Sequence, residues 1–183
     1  MSGRAAPDVA LPPWAVVSDS RRQHIARVCA LLDGWAAALR LDAARRAAWH
    51  DAGAWHDALR DAAPETVGPP ATDPTLPPGA WHGPAAAERL RADGESREDV
   101  LAAIAWHTVG DPGWAATGRA LYCADFLEPG RPFLRTERAE LARDFPSAPA
   151  DVLRSVVRMR LDLARTQRAD IHPRTVALWN SIK

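Results

Sequence analysis

Four histidines and two aspartates carry the chemistry that this sequence could perform: His24, His56, Asp57, His82, His107 and Asp125. Imidazole nitrogen and carboxylate oxygen together suit Fe, Mn, Zn or Co and not Ca. A single catalytic ion usually takes about three protein ligands, so six exceed the need of one ion. They suffice for two ions if one carboxylate bridges. Two ions roughly 3.5–4 Å apart can activate a water and clamp a phosphate during in-line displacement. Taken singly, each of these residues also fits a packed core position. His50, His56, His82 and His107 each follow a tryptophan directly. Either the rings form an apolar shell that restricts solvent at the ligands, or the pairing is a coincidence of a Trp-rich chain.

The elements that must position these residues read as helices. Ser18-Asp19-Ser20 caps a first helix beginning near Arg21, with Ile25, Val28, Leu31, Leu32 and Trp35 at helical spacing. Asp42 caps a second helix running to about Ala62, which carries both His50-Asp51 and His56-Asp57. Prolines 64, 69, 70, 74, 77 and 78 mark residues 63–80 as a long loop, either a cover for a site or a tether. A short helix follows Gly83-Pro84 and ends at Gly94. Ser96-Arg97-Glu98-Asp99 resembles a capping box and opens a helix containing Val100, Ile104 and His107 that closes near Gly110. Further helices are expected over about Trp114–Leu127 and Thr136–Arg143, from Ser147 or Pro149 to about Ala169, and from Pro173 through Trp179. There is no persuasive period-2 run. The expected fold class is all-α, a single-domain bundle of about seven helices with its ligands on inward faces. Residues 1–17, rich in proline and small side chains, read as an extended arm anchored by Trp14, Val16 and Val17, and 18–183 as the domain.

Composition narrows the function classes. The 183 residues fit one domain, and 23 Lys+Arg against 23 Asp+Glu leave no net charge, which argues against a dedicated nucleic-acid binder. No stretch approaches the ~18 apolar residues of a membrane span. Pro7, Pro12 and Pro13 interrupt any export signal, so a cytoplasmic location and no membrane partner are expected. Cys29 and Cys123 read as reduced, packed thiols, with a redox-sensitive thiol as the alternative. The sequence has no G-x-S-x-G elbow, no G-x-x-x-x-G-K-[ST] loop, no G-x-G and no C-x-x-C pair. Oligomeric state is not legible.

A set of motifs appears in order: Arg21-x-x-His24, His56-Asp57-x-x-Arg60, His82-Gly83-Pro84, His107-Thr108-x-Gly110, Ala124-Asp125, Glu128-Pro129-Gly130-Arg131, His172-Pro173-Arg174-Thr175 and Trp179-Asn180. Over about residues 20–182 this set resembles the HD-superfamily metal-dependent phosphohydrolases. It is most similar to the bacterial YqeK-type symmetrical bis(5'-nucleosyl)-tetraphosphatases. The resemblance implies an HD-domain fold, a nucleotide substrate and two divalent or trivalent transition-metal ions, commonly iron, with Mn, Co, Ni or Zn open. It implies cleavage of diadenosine tetraphosphate to two ADP by a metal-activated water. Carried over, His24, His56, Asp57 and Asp125 would hold one ion and His82 and His107 the second, with Asp57 bridging. Arg60 stands where the family often has Lys, so it meets phosphate as a planar fork and not a point charge. Trp55 stands where the family tends to have Leu.

Of the two His-Asp pairs, His56-Asp57 is favoured because Arg60 follows it. His50 stays open as a group behind the ligands, since it shares a helical face with Asp57. Asp57 and Arg60 are the catalytic candidates, and Arg60, Thr108 and Arg131 the substrate contacts. Thr108 could instead cap its own turn, and Arg131 could be a surface ion pair. The alternatives are an HD-type phosphohydrolase or phosphodiesterase acting on another nucleotide, or a non-catalytic metal-containing nucleotide-binding protein.

Overall fold

The computed structural model describes residues 9–183; residues 1–8, and with them Pro7 and the start of the arm, lie outside the described residues. Among the described residues there are nine α-helices, one 3-10 turn and no strand, so the fold is all-α. In chain order the helices are α1 (Asp19–Ala38), α2 (Ala43–Trp55), α3 (Pro64–Val67), α4 (His82–Ala92), α5 (Glu98–Trp106), α6 (Ala116–Leu127), α7 (Arg135–Asp144), α8 (Pro149–Thr166) and α9 (Pro173–Ile182). The side chains of Ser18 and Asp42 accept from the backbone N–H groups of Arg21 and Arg45, satisfying donors that the first turns of α1 and α2 leave free. Helix α6 is the hub. Ten of its twelve residues are buried, and it packs against α1, α2, α5, α7 and α8.

Three expectations are corrected. Helix α2 stops at Trp55, not near Ala62. The next residues wind in tighter turns, with Ala58 donating to Trp55, Arg60 to Asp57 and Ala62 to Leu59. The arm docks on this segment: Val16 N–H donates to the Ala58 carbonyl at 2.7 Å, and Asp61 N–H returns to Val16. His56 is therefore the C-cap of α2 and Asp57 lies in the turn beyond it. Second, Ser96–Asp99 forms no capping box. Arg97 is the N-cap of α5 without a side-chain cap, and Asp99 accepts from the Thr117 hydroxyl of α6 instead. Third, the 63–80 segment is not structureless: it holds α3 and the 3-10 turn Pro78–Ala80. Asp73 in it accepts from Arg174, whose guanidinium also binds Asp111 and lies 3.7 Å from the Trp106 ring centroid. The segment is thereby strapped to the start of α9.

One glycine lets two site-bearing helices come close. A Cβ on Gly83 would stand 2.7 Å from the carbonyl oxygens of both Ile104 and Ala105. Only glycine lets the start of α4 approach the end of α5, which brings His82 beside His107. A Cβ on Gly53 would stand 2.7 Å from Leu32 Cδ1, the movable end of a side chain, so the α1–α2 contact next to His56 is close without hinging on glycine.

Candidate metal centre

All six sequence-derived ligands are buried, and their donor atoms converge. The Asp57 carboxylate lies at the centre. Its Oδ1 is 3.1 Å from His82 Nε2 and 3.4 Å from His107 Nε2. Its Oδ2 is 3.5 Å from His56 Nε2 and 3.6 Å from His24 Nε2. Each oxygen thus faces its own histidine pair. His24, His56 and Asp57 form one group able to hold a metal ion, and Asp57, His82 and His107 a second. Asp125 joins through Oδ1, 3.2 Å from His24 Nε2. The helix ends explain the convergence. His56 and His107 are the C-caps of α2 and α5, His82 opens α4, and His24 and Asp125 project from the middle of α1 and from α6.

The tautomers are fixed from behind. His56 Nδ1 lies 2.8 Å from the Gly53 carbonyl, and His107 Nδ1 lies 2.8 Å from the Ile104 carbonyl. A carbonyl only accepts, so both Nδ1 atoms donate. In the neutral rings both Nε2 lone pairs then point into the cluster. Burial, offset in part by Asp57, lowers the pKa of His56 to about 4, so its ring is neutral near pH 7. Its Nε2 lone pair therefore confronts the Asp57 carboxylate with no proton between them. A cation between the two groups removes that repulsion, and the donor set fits one.

The carboxylates are kept ionised. Burial opposes the charge on Asp57, but hydrogen bonding from His82 is among the interactions that outweigh it and hold its pKa well below the usual carboxylate range. Burial likewise opposes Asp125, and Arg131, His24 and Arg160 outweigh it. Asp125 accepts from Arg131 at 2.5 Å and from Arg160 at 2.8 Å. A carboxylate offers about four lone-pair sites, so ligation remains open to it. Arg21 donates to Asp57 Oδ2 at 2.6 Å.

Four arginines, Arg21, Arg60, Arg131 and Arg160, line a cavity of ≈ 210 Å³ over Asp57 and Asp125. Four guanidinium charges against two carboxylates give this cavity a positive bias that attracts polyanions. Arg60 donates to the Gly79 carbonyl at 3.2 Å, and the Thr108 hydroxyl lies 3.2 Å from His107 Nε2. Both line the cavity, as does Arg131, which pairs with the buried Asp125 at the cavity wall while its own side chain stays partly exposed.

His50 is not part of the cluster. It turns outward to Asp33 at 3.1 Å, and Asp51 pairs with Arg97, because the helix ends between the two His-Asp pairs and breaks their shared face. The tryptophans preceding the histidines serve packing. Trp49 packs against Phe145, Trp55 donates to the Ala10 carbonyl, Trp81 donates to the Leu76 carbonyl and Trp106 lies under Arg174. Both cysteines are free and buried, and burial pushes the Cys29 thiol up to about 12, which makes it a poor nucleophile.

Sequence reasoning gave no role to Glu128 or Arg160. Glu128 Oε1 is 3.2 Å from His24 Nδ1, and its Oε2 accepts from Arg27 at 2.5 Å and from Gly130 N–H at 2.6 Å. Burial is outweighed by His24, Arg27 and Gly130, which bring its pKa to about 2. A carboxylate behind a metal-binding histidine orients the ring and raises its basicity. Arg138, buried beneath, donates to the carbonyls of Phe126, Glu128, Arg131 and Phe133 and fixes this turn. Arg160 was legible in principle: it sits three, four and seven residues after Val157, Val156 and Leu153, on the buried stripe of α8.

No family model matches the chain. Among curated proteins, it is 40% identical over 57 residues to the symmetrical bis(5'-nucleosyl)-tetraphosphatase of Bacillus subtilis, covering 31% of each chain. It is 32% identical over 104 residues to the protein of the same name from Halalkalibacterium halodurans, covering 55% of this chain and 54% of the relative. The chain thus matches about a third and about half of the lengths of these relatives. A Clostridium acetobutylicum protein, described as a predicted HD superfamily hydrolase involved in NAD metabolism, superposes with a TM-score of 0.77 at 22% identity over 91% of this chain and 90% of that one. The resemblance read from the motifs stands: the chain has the fold of an HD-superfamily hydrolase, and its curated relatives are symmetrical bis(5'-nucleosyl)-tetraphosphatases.

Proposed function

We propose that this protein is a metal-dependent phosphohydrolase that splits diadenosine tetraphosphate into two ADP. The observation that carries the reading is the Asp57 carboxylate, whose two oxygens each face a separate buried histidine pair beneath a ring of arginines. His24, His56, Asp57 and Asp125 would hold one ion, and Asp57, His82 and His107 a second, with iron the first choice of metal. When bound, such ions supply Lewis-acid polarisation of phosphoryl oxygens and acidify water near neutral pH.

The chain's own residues do the rest. Arg60 and Arg131 bind and orient the polyphosphate, and with Arg160 they offset negative charge as it spreads over the phosphoryl oxygens. Asp57 balances the cationic charge at the centre, and Arg21 holds that carboxylate in position. Burial of His56 and His107 keeps water away from the rear of the cluster. The curated relatives support the substrate and the symmetry of cleavage. The test is a product screen with diadenosine tetraphosphate. ADP as the sole nucleotide product is expected; AMP plus ATP, or no turnover with metal loaded, overturns the proposal.

A further inference from the structure

Asp61 follows Asp57 by one tight turn and makes its side-chain hydrogen bonds away from the metal cluster. Its Oδ2 accepts from both the backbone N–H and the hydroxyl of Ser18, each at 2.7 Å. The Ser18 hydroxyl in turn accepts from Arg21 N–H at 3.3 Å, as the cap of α1. The other oxygen, Oδ1, lies 3.9 Å from Arg21 Nε, within ion-pair reach and beyond a hydrogen bond. That Nε is buried and has no hydrogen-bond partner. The Arg21 guanidinium donates instead through Nη1 to Asp57 Oδ2 at 2.6 Å. It therefore sits between two carboxylates, one at the centre of the cluster and one outside it. Burial opposes the charge of Asp61, but the two Ser18 hydrogen bonds and Arg21 outweigh it and hold its carboxyl below the usual range. The backbone is tied as well: Asp61 N–H donates to the Val16 carbonyl at 3.3 Å, which links the arm to the turn that carries Asp57.

We propose that Asp61 is a positioning residue for the metal centre: it fixes Arg21 against Asp57 and balances the Arg21 charge, so that the charge of Asp57 stays available to cations. The inference rests on the metal-dependent reading above and deepens it. Two carboxylates share one guanidinium, so the charge-assisted bond from Arg21 to Asp57 does not neutralise the one carboxylate that both histidine pairs face. With Asp61 neutral, Asp57 alone would balance Arg21, and a cation at His24 and His56 would meet an uncompensated guanidinium beside its ligand. The tie through Ser18 sets the first turn of α1, from which Arg21 projects and on which His24 follows about one turn later. Asp61 thus acts on the centre through Arg21, without touching a ligand itself.

Affinity for Mn²⁺, measured by competition with a chromophoric chelator, tests this in a double-mutant cycle of Asp61→Asn and Arg21→Gln. Asparagine keeps an oxygen for the Ser18 donors and loses the charge. Asp61→Asn is expected to weaken binding about tenfold, roughly 1.4 kcal/mol. In the Arg21→Gln background the same substitution should change affinity by less than about twofold, because the group it acts through is gone. Asp61→Glu, which keeps the charge, should stay within about threefold of wild type. Ser18→Ala removes one donor to Asp61 and keeps both charges. It gives the readout should Asp61→Asn fail to fold, as a loss of about threefold that disappears in the Arg21→Gln background. Asp61→Asn within about twofold of wild type, or an equal loss in both backgrounds, overturns the proposal; equal loss would make Asp61 a tie for α1 and nothing more. Wild-type protein that binds no metal refutes the metal-dependent reading and this inference with it. The expected cycle in a protein that does not cleave diadenosine tetraphosphate supports the inference and refutes the reaction.

Discussion

Glu128→Gln isolates the role of the carboxylate behind His24. In wild type, one oxygen of Glu128 faces His24 Nδ1 and the other accepts from both Arg27 and Gly130 N–H. Glutamine keeps the shape but has one oxygen and one NH2 group. If its oxygen faces His24, the NH2 group meets two donors, Arg27 Nε–H and Gly130 N–H. If the amide turns over, the NH2 group meets the Nδ1–H of His24, and the ring loses its orienting acceptor. Neither orientation satisfies all three donors. Loss of such a partner behind a metal ligand costs about 10–100-fold in metal affinity, about 1.4–2.7 kcal/mol. The assay is competition of the metal-free protein against a chromophoric chelator, with circular dichroism to verify that the helices are retained. A folded Glu128→Gln protein that binds metal within about twofold of wild type would refute the argument that His24 depends on this carboxylate.

Three other outcomes are expected. Gly83→Ala forces a Cβ against two backbone carbonyls, which cannot swing aside as a side chain would, so it should lower stability by about 1–3 kcal/mol in urea unfolding. Arg138→Met strands four carbonyls of the 126–133 turn and should cost about 2–4 kcal/mol by the same measurement. For His24, burial opposes protonation, but hydrogen bonds to Asp125 and Glu128 outweigh it and raise the pKa to about 9. The ring is thus protonated at pH 7 without metal and must lose that proton to become a ligand. Metal loading should release about one proton, seen as a dependence of the calorimetric heat on buffer ionisation enthalpy, and affinity should rise as pH climbs from 6 towards 9.

Most of the helices were legible because caps and periodicity are local. Ser18, Asp42 and Pro173 mark the starts of α1, α2 and α9, and each stands within a residue of the observed boundary. The end of α2 was not legible, because its cause is distant: the arm at Val16 takes the Ala58 carbonyl while the turns tighten. The six candidate ligands could be named from their chemistry and order, and the structure brings all six together. What the sequence could not show was orientation. His50 and His56 are each followed by Asp, yet only the latter turns inward, because a carbonyl three residues back pins its ring. Glu128 and Arg160 act through contacts across helices, with His24 and Asp125. The role of Glu128 is not visible in the spacing along the chain, whereas the place of Arg160 on the buried stripe of α8 marks it as inward-facing without naming its partner.

The most direct test of the account is the metal content of anaerobically purified protein, wild type beside Asp57→Ala. Asp57 presents one oxygen to each histidine pair, so its loss affects both groups at once. The account predicts about two transition-metal ions per wild-type chain. It predicts at most one weakly held ion in the variant, with helix content unchanged. Wild-type protein without bound metal, or a folded Asp57→Ala protein carrying the full load, would contradict it.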